Sequence, residues 1–388
     1  MSRKLHARRI EGVDKNICFI QEAFCKAVNG GVHMHQYTRA FGHPALVKIL
    51  AKFYSGIVGQ EIDPMEDVLV TVGAYQALYC TFQALIDEGD EVIIVEPFFD
   101  CYQPMVKMAG GTAVYVPLKP REGSGPAKSS AEWVLSPEEL KSKFTPRTKA
   151  IVINTPNNPL GKVYLREELQ MIADLCIKHD VVCISDEVYE WLTYDGTKHV
   201  KIGKMIRWLY ACQQIVWLNV TQRFLAASLP GMWERTVTIG SAGKTFSATG
   251  WKVGWAIGSH LILKHLKTVH QNSVYHCATA AQVEHKICVM GVKHMSFHFL
   301  TGVTLSPVVL KEAVAVGFQR EYDVFGTEES YFQQLPALLH EKRLRLADCL
   351  RSIGLNPIIP QGGYFMIADI SNLSKFQKSG STKYSKRK

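Results

Sequence analysis

The middle of the chain alternates short β-branched and aliphatic runs with longer stretches of helical period, and this alternation restricts the fold more than any other feature. Val68-Leu69-Val70-Thr71-Val72 reads as a strand, and Gly73 opens a helix through Ala77, Phe82 and Leu85. Glu91–Val95, Ala113–Val116, Ala150–Ile153 and Val181–Ser185 read as further strands, and Leu165–His179 as a helix. Apolar strands alternating with helices build a mainly parallel sheet covered on both faces, so the predicted class is α/β. Ligands of such sheets bind beyond the carboxyl ends of the strands. The polar signatures of this chain stand at those ends: Gly73-Ala74-Tyr75, Pro97-Phe98-Phe99-Asp100, the turn Asn154–Gly161, and Ser185-Asp186-Glu187-Val188-Tyr189.

The chain has 388 residues, 47% of them hydrophobic and 20% charged, enough for one large domain with a smaller one. The net charge of +9 is uneven: Lys375–Lys388 hold six Lys/Arg and no acid, and Arg3, Lys4, Arg8 and Arg9 form a second cluster. Solvated ends explain both, so no nucleic-acid partner is expected. The ten cysteines lack C-x-x-C spacing, which points to reduced thiols in a cytoplasmic protein and to no metal site. Met1–Lys15 is too polar for a signal peptide, and Met295–Leu310 is too short for a membrane span and contains Pro307, so no membrane partner is expected. The sequons at Asn219 and Asn372 have no secretory context. Ile206–Ser228 and Glu284–Lys311 lack a clean period, which is unusual for loops of that length.

Ser241-Ala242-Gly243-Lys244-Thr245, continuing to Gly250-Trp251-Lys252, follows a strand-like run, Thr236–Gly240. It sets a hydroxyl, a lysine and a second cation on a small-residue loop. A P-loop would need glycine where Thr238 stands. A serine acyl-enzyme of the S-x-x-K type would need companion motifs that are absent, because Ser185-Asp186 is followed by Glu187. Two readings stay open for the loop alone: a Schiff-base lysine beside a phosphate, or a polar strand-to-loop transition without chemistry.

The other signatures weigh on that choice. A phosphorylated aldehyde such as pyridoxal 5′-phosphate (PLP) needs a lysine, an acid for its pyridine nitrogen, donors to its ring oxygen, a stacking surface and a phosphate cradle. Lys244, Asp186, Tyr189 with Asn158, Phe99, and Gly73-Ala74 with Ser241 and Lys252 meet those needs in order. Singly, each has an ordinary structural explanation; together they describe one site.

These motifs, with Gln36–Gly42, Leu69–Tyr75, Glu96–Tyr102, Asn154–Val163, Asp186–Trp191, Pro230–Trp255 and His270–Cys277, resemble the class-I PLP-dependent aminotransferases of fold type I, and within them the kynurenine aminotransferases. The resemblance spans most of 29–205, 229–283 and 329–370. It implies a mainly parallel sheet in a large domain plus an incomplete small domain. The expected division is an arm over 1–18, a large PLP-binding domain over 19–324 with inserts 206–228 and 284–311, and a truncated small domain with a basic tail over 325–388.

The resemblance implies that Lys244 carries PLP and shuttles a proton, that Asp186 and Tyr189 are catalytic with it, and that Gly73, Ala74, Tyr75, Phe99, Asn158, Val188, Ser241 and Lys252 hold the cofactor. Asn158 also lies by the substrate carboxylate, and Tyr37 reaches the phosphate of a partner subunit, which implies a homodimer. The implied substrates are kynurenine, glutamine or sulfur amino acids with a 2-oxo acid, and β-elimination of cysteine S-conjugates is a side reaction. Relative to the family, the chain skips a Gly-rich stretch between Cys18 and Phe19 and follows the pattern no further than Ile370. The family's arginine for the substrate α-carboxylate has no assignable position here, and losing such a clamp costs on the order of 2–5 kcal/mol. A second expectation follows: a catalytically impaired or inactive splice or gene-model product that at most binds PLP and dimerises.

Overall fold

A computed structural model describes residues 35–121, 128–204, 231–282 and 314–370. The arm, both inserts, the skipped Gly-rich position, Met295–Leu310, the two sequons and the basic tail lie outside the described residues.

The elements in chain order are α1 (Pro44–Val58), β1 (Val68–Val72), α2 (Gly73–Leu85), β2 (Glu91–Glu96), α3 (Tyr102–Met108), β3 (Thr112–Pro120), β4 (Trp133–Leu135), α4 (Pro137–Ser142), β5 (Thr148–Asn154), α5 (Arg166–His179) and β6 (Val182–Asp186). They continue with β7 (Thr236–Ser241), α6 (Ala242–Thr245), β8 (Val253–Ile257), α7 (His260–Ser273), α8 (Thr279–Gln282), α9 (Val314–Val324), α10 (Tyr331–Ser352), β9 (Asn356–Ile358) and β10 (Ile367–Asp369). The chain divides into two compact units, one of Met1–Ala77 with Ser241–Phe325 and one of Leu78–Gly240 with Gly326–Lys388.

The second unit contains the parallel sheet that the alternation predicts. Its strands lie in the order β7-β6-β5-β2-β3-β4, and every pairing is parallel except β3 with β4. Ile93, Ile151 and Cys183 stand in register across β2, β5 and β6 and are fully buried. Each aliphatic side chain so buried contributes about 1.5–3 kcal/mol, and this layer holds the strand ends level. Helix α5 covers the sheet with Leu169, Ile172, Ala173 and Cys176. Glu167 and Glu168 in its first turn and Lys178 and His179 in its last complement the helix dipole.

In the first unit the Val68–Val72 strand pairs antiparallel with β8, from Val68 opposite Ile257 to Val72 opposite Val253. The alternation of strands and helices predicts only a mainly parallel sheet; a continuous apolar run marks a doubly buried strand but carries no sign of its direction. Helix α1 starts where His43 Nδ1 accepts from Ala45 N–H and Pro44 pre-sets the first turn, and it stops at Gly59, in the left-handed region at φ 78°. Its Phe53 and Tyr54 meet Phe318 of α9 at 5.2 and 6.0 Å between ring centroids. Phe246 and Trp255 also pack on Phe318, at 5.2 and 5.3 Å. Phe318 is fully buried at the centre of this aromatic core. Truncating Phe318→Ala should cost about 3–5 kcal/mol, because rigid rings cannot collapse into the space. Urea unfolding followed by tryptophan fluorescence checks this; a loss below about 1 kcal/mol would contradict it.

Candidate active site

The first unit gathers Gly73, Ala74, Tyr75, Ser241, Lys244, Lys252 and Tyr37. Strand β1 ends at Val72, and Gly73 turns the chain into α2 with φ +74°. Thr71 Oγ1 donates to Gly73 O at 2.9 Å and Val72 N–H donates to Gln76 Oε1 at 2.6 Å, which fixes the turn. The first amides of a helix have no intrahelical acceptor and sit at the positive end of its dipole, so this turn is a place for an anion. Strand β8 runs directly against it: a Cβ on Gly254 would lie 2.4 Å from Ala74 N and from the Gly73 carbonyl carbon. Lys252, the residue before β8, has its Cα 3.8 Å from where a Gly73 Cβ would be.

The loop between β7 and β8 completes this cradle. Ser241 closes β7 almost fully buried, and its hydroxyl makes no capping bond to α6. Lys244 lies within α6, and Gly243 allows the loop to fold back, since a Cβ there would meet Thr249 Cα at 2.8 Å. Ser247 and Lys252 both adopt φ 55°, the left-handed region that ordinary side chains avoid. Such backbone costs about 1–3 kcal/mol per residue and clusters at functional sites. Tyr37 is 82% exposed, with Tyr275 and His276 edge-on at 5.6 and 5.4 Å. Tyr75 is half exposed.

The second unit gathers Phe99, Asn158, Asp186, Val188 and Tyr189. The Asp186 carboxylate ends β6 in the protein interior, accepting from Tyr102 Oη at 2.7 Å and from Val188 N–H at 3.3 Å. Its carbonyl accepts from Asn154 Nδ2 and Thr155 N–H at 3.0 and 3.1 Å. Asn154 Oδ1 in turn accepts from Asn158 N–H at 2.6 Å, so the turn that carries Asn158 is fastened to the strand that carries Asp186. Phe99 sits edge-on to Tyr102 at 5.9 Å. Burial and the neighbouring Asp186 push the Tyr189 and Tyr102 phenols above their ordinary range, so both stay neutral donors at physiological pH.

Tyr102 was not among the predicted site residues. It stands at the start of a helix after Pro97-Phe98-Phe99-Asp100, and only the fold shows its hydroxyl on Asp186. Four buried ionisable groups were also missed. Glu187 Oε1 accepts from Ser185 Oγ at 2.8 Å; Glu187 Oε2 meets His199 Nε2 at 2.8 Å and Lys201 Nζ at 2.6 Å; and Lys201 reaches Glu190 at 2.5 Å. Arg343 is not free for a substrate carboxylate: its guanidinium is buried, Nη2 donates to both oxygens of Asp195, and Nη1 donates to Pro360 O.

The residues present fit PLP. A buried carboxylate with neutral hydrogen-bond donors suits a pyridine nitrogen. A helix start with the Lys252 backbone against it, at the end of the loop that Ser241 begins, suits a phosphate.

The class I and II aminotransferase family matches residues 19–381. The chain is 48% identical to human kynurenine–oxoglutarate transaminase 1, over 97% of this chain and 83% of that protein. It is 46% identical to rat kynurenine–oxoglutarate transaminase 3, over 95% of this chain and 75% of that one. Among solved structures, N-succinyldiaminopimelate aminotransferase of Mycobacterium tuberculosis superposes with a TM-score of 0.69 at 31% identity, covering 90% of this chain and 73% of that one.

Two measurements check this geometry. Gly254→Ala should destabilise the first unit and weaken phosphate retention, because both clashing atoms are backbone and cannot yield; PLP titration and thermal melting read it, and wild-type values in both would contradict the packing. Burial raises the Glu187 carboxyl, but Lys201 and His199 outweigh it and hold it at about 2 against an ordinary 4.5. A depressed acid adds stability above its unfolded value, so this contribution is complete above pH 4.5 and is lost as pH falls towards 2. Glu187→Gln should flatten that acid limb in a melting-temperature profile; an unchanged limb would contradict it.

Proposed function

The chain belongs to the class I and II aminotransferases, and on that premise we propose that it moves an amino group from kynurenine, glutamine or a related aromatic or sulfur amino acid to a 2-oxo acid. The family implies PLP as cofactor and an amino acid with a 2-oxo acid as substrates. The kynurenine reading rests on the relatives' activities and on the chain's identity to them. The observation that carries the site assignment is the lysine-bearing loop after β7, whose Lys252 end lies against the glycine turn that opens α2.

In this reading Gly73, Ala74, Tyr75, Ser241 and Lys252 hold the phosphate, Phe99 and Val188 flank the ring, and Tyr189 and Asn158 donate to the ring oxygen. Bound PLP supplies an electron sink for the carbanion at the amino acid's α-carbon. Asp186 keeps a proton on the pyridine nitrogen, and its contacts to neutral donors suit a carboxylate in that role. Lys244 would hold the cofactor and, once freed by the amino acid, would take the Cα proton at Nζ and pass it to the cofactor's aldehyde carbon, the shift that amino transfer requires. The neutral phenol of Tyr189 holds the ring oxygen by hydrogen bonding. With a sulfur leaving group at Cβ, loss of the Cα proton can expel the thiol, so β-elimination of cysteine S-conjugates is a side reaction.

Tyr37 supports a homodimer in which it serves the partner's phosphate, since so exposed an aromatic held between Tyr275 and His276 is placed for a contact outside its own chain. Cytoplasmic residence agrees with Cys80, Cys101, Cys176, Cys183 and Cys277 being buried free thiols. No helix among the described residues is long and apolar enough to cross a membrane.

The purified chain with PLP should develop a visible absorption band that bleaches on addition of kynurenine or glutamine and recovers with a 2-oxo acid. Lys244→Ala should lose the band and lower turnover by about 10²–10⁴-fold. A band that no amino donor bleaches, or wild-type turnover in Lys244→Ala, would contradict the reading.

A further inference from the structure

The turn that carries Asp186 and Tyr189 carries a second set of side chains the chemistry does not use. Residues 186–190 are divided between the two. Asp186 bonds Tyr102, and Tyr189 lies against the rings of Tyr364 and Phe365 at 5.6 and 6.4 Å. Glu187 and Glu190, between and beyond them, instead turn to His199 and Lys201. The turn closes on itself, with Glu190 N–H donating to Glu187 O at 2.9 Å and Leu192 N–H to Tyr189 O at 2.8 Å. Glu187 N–H donates to Ile239 O of the adjoining strand at 3.0 Å.

Four groups of this kind in the interior are costly unless each is paired. Glu187 is fully buried, and the side chains of Glu190, Lys201 and His199 are 3%, 4% and 8% exposed. Ligand atoms of Glu187, Glu190 and His199 lie within 4.8 Å of one another, a spacing that suits a cation. The ammonium of Lys201 takes that place, 2.6 Å from Glu187 and 2.5 Å from Glu190. One cation thus joins two carboxylates three residues apart on the same turn, which restricts the rotation of the backbone between them. That backbone belongs to Val188 and Tyr189, and it begins at Asp186.

We propose that Lys201, acting with His199 on Glu187 and Glu190, is a positioning residue that locks the 186–190 turn so that Asp186, Val188 and Tyr189 are presented to the cofactor together. This rests on the reading that those three residues hold PLP. Burial alone would lower the Lys201 ammonium, but Glu187 and Glu190 more than offset it and raise it, so the clamp is charged at every working pH. Buried clusters of this kind lose much when one partner is removed, because the remaining charges stay desolvated. Partners that orient metal ligands typically change metal affinity or activity by about 10–100-fold on removal, and an effect of that order is expected here by analogy.

The test uses the full chain and PLP as the probe, with affinity read from the visible band, ring orientation from circular dichroism in that band, and melting temperature measured without cofactor. Lys201→Met should raise the PLP Kd about tenfold or more and change the visible dichroism, and Lys201→Arg should recover both. Glu190→Gln, which keeps shape and hydrogen bonding while removing one charge, should weaken PLP and alter the dichroism with the cofactor-free melting temperature nearly kept. Wild-type Kd and dichroism in Lys201→Met and Glu190→Gln would overturn the proposal. So would a Lys201→Arg chain that regains melting temperature but neither cofactor signal, since the cluster would then serve folding alone. If Lys201→Met does not fold, Glu190→Gln decides by the same two readings. A wild-type chain that develops no visible band with PLP would overturn the functional reading, and this proposal with it.

Discussion

The interior carboxylate of Asp186 is the constraint on which the rest of this structure depends. A carboxylate ending a strand of a hydrophobic sheet is stable only where donors meet it, and here Tyr102 Oη and Val188 N–H do so. The carbonyl of the same residue is held by Asn154 and Thr155, and Asn154 anchors Asn158. One residue therefore fastens the end of β6 to the turn after β5, and both lie at carboxyl ends of parallel strands, where α/β sheets place ligands. The in-register layer of Ile93, Ile151 and Cys183 keeps those ends level.

The second requirement is close backbone approach at the glycine turn. Gly73 at positive φ, Gly254 with no room for a Cβ, and Lys252 in the left-handed region occur within a few residues' reach of one another. Backbone strain held in place by tight packing is a sign of use, because the strain itself costs stability. An anion at the helix start would offset the local concentration of amide dipoles and the lysine charge.

Much of this was legible in the sequence because strand ends announce themselves. Val68–Val72, Glu91–Val95, Ala150–Ile153 and Val181–Ser185 emerge as strands within a residue or two, and the polar residues after each are those now placed in the candidate site. What the sequence left out has a physical reason. Pairing direction in β1 depends on a partner, β8, far along the chain. Tyr102 carries no sequence signal for its role, since an aromatic at a helix start has no periodic signature of a hydrogen bond to a residue 84 positions away. The Glu187–Lys201 pair spans fourteen residues of loop and turn, so no helical or strand spacing could show it. The roles of Lys244, Asp186 and Tyr189 came from a resemblance and from the chemistry of the group they would hold, not from spacing.

The central claim is that Lys244 is the residue that carries PLP. Borohydride trapping of the bound cofactor, followed by proteolysis and mass spectrometry, tests it most directly. One phosphopyridoxyl-modified peptide is expected, the one containing Lys244, with no modification once PLP is omitted. Modification centred on Lys252 or spread over surface lysines would contradict it.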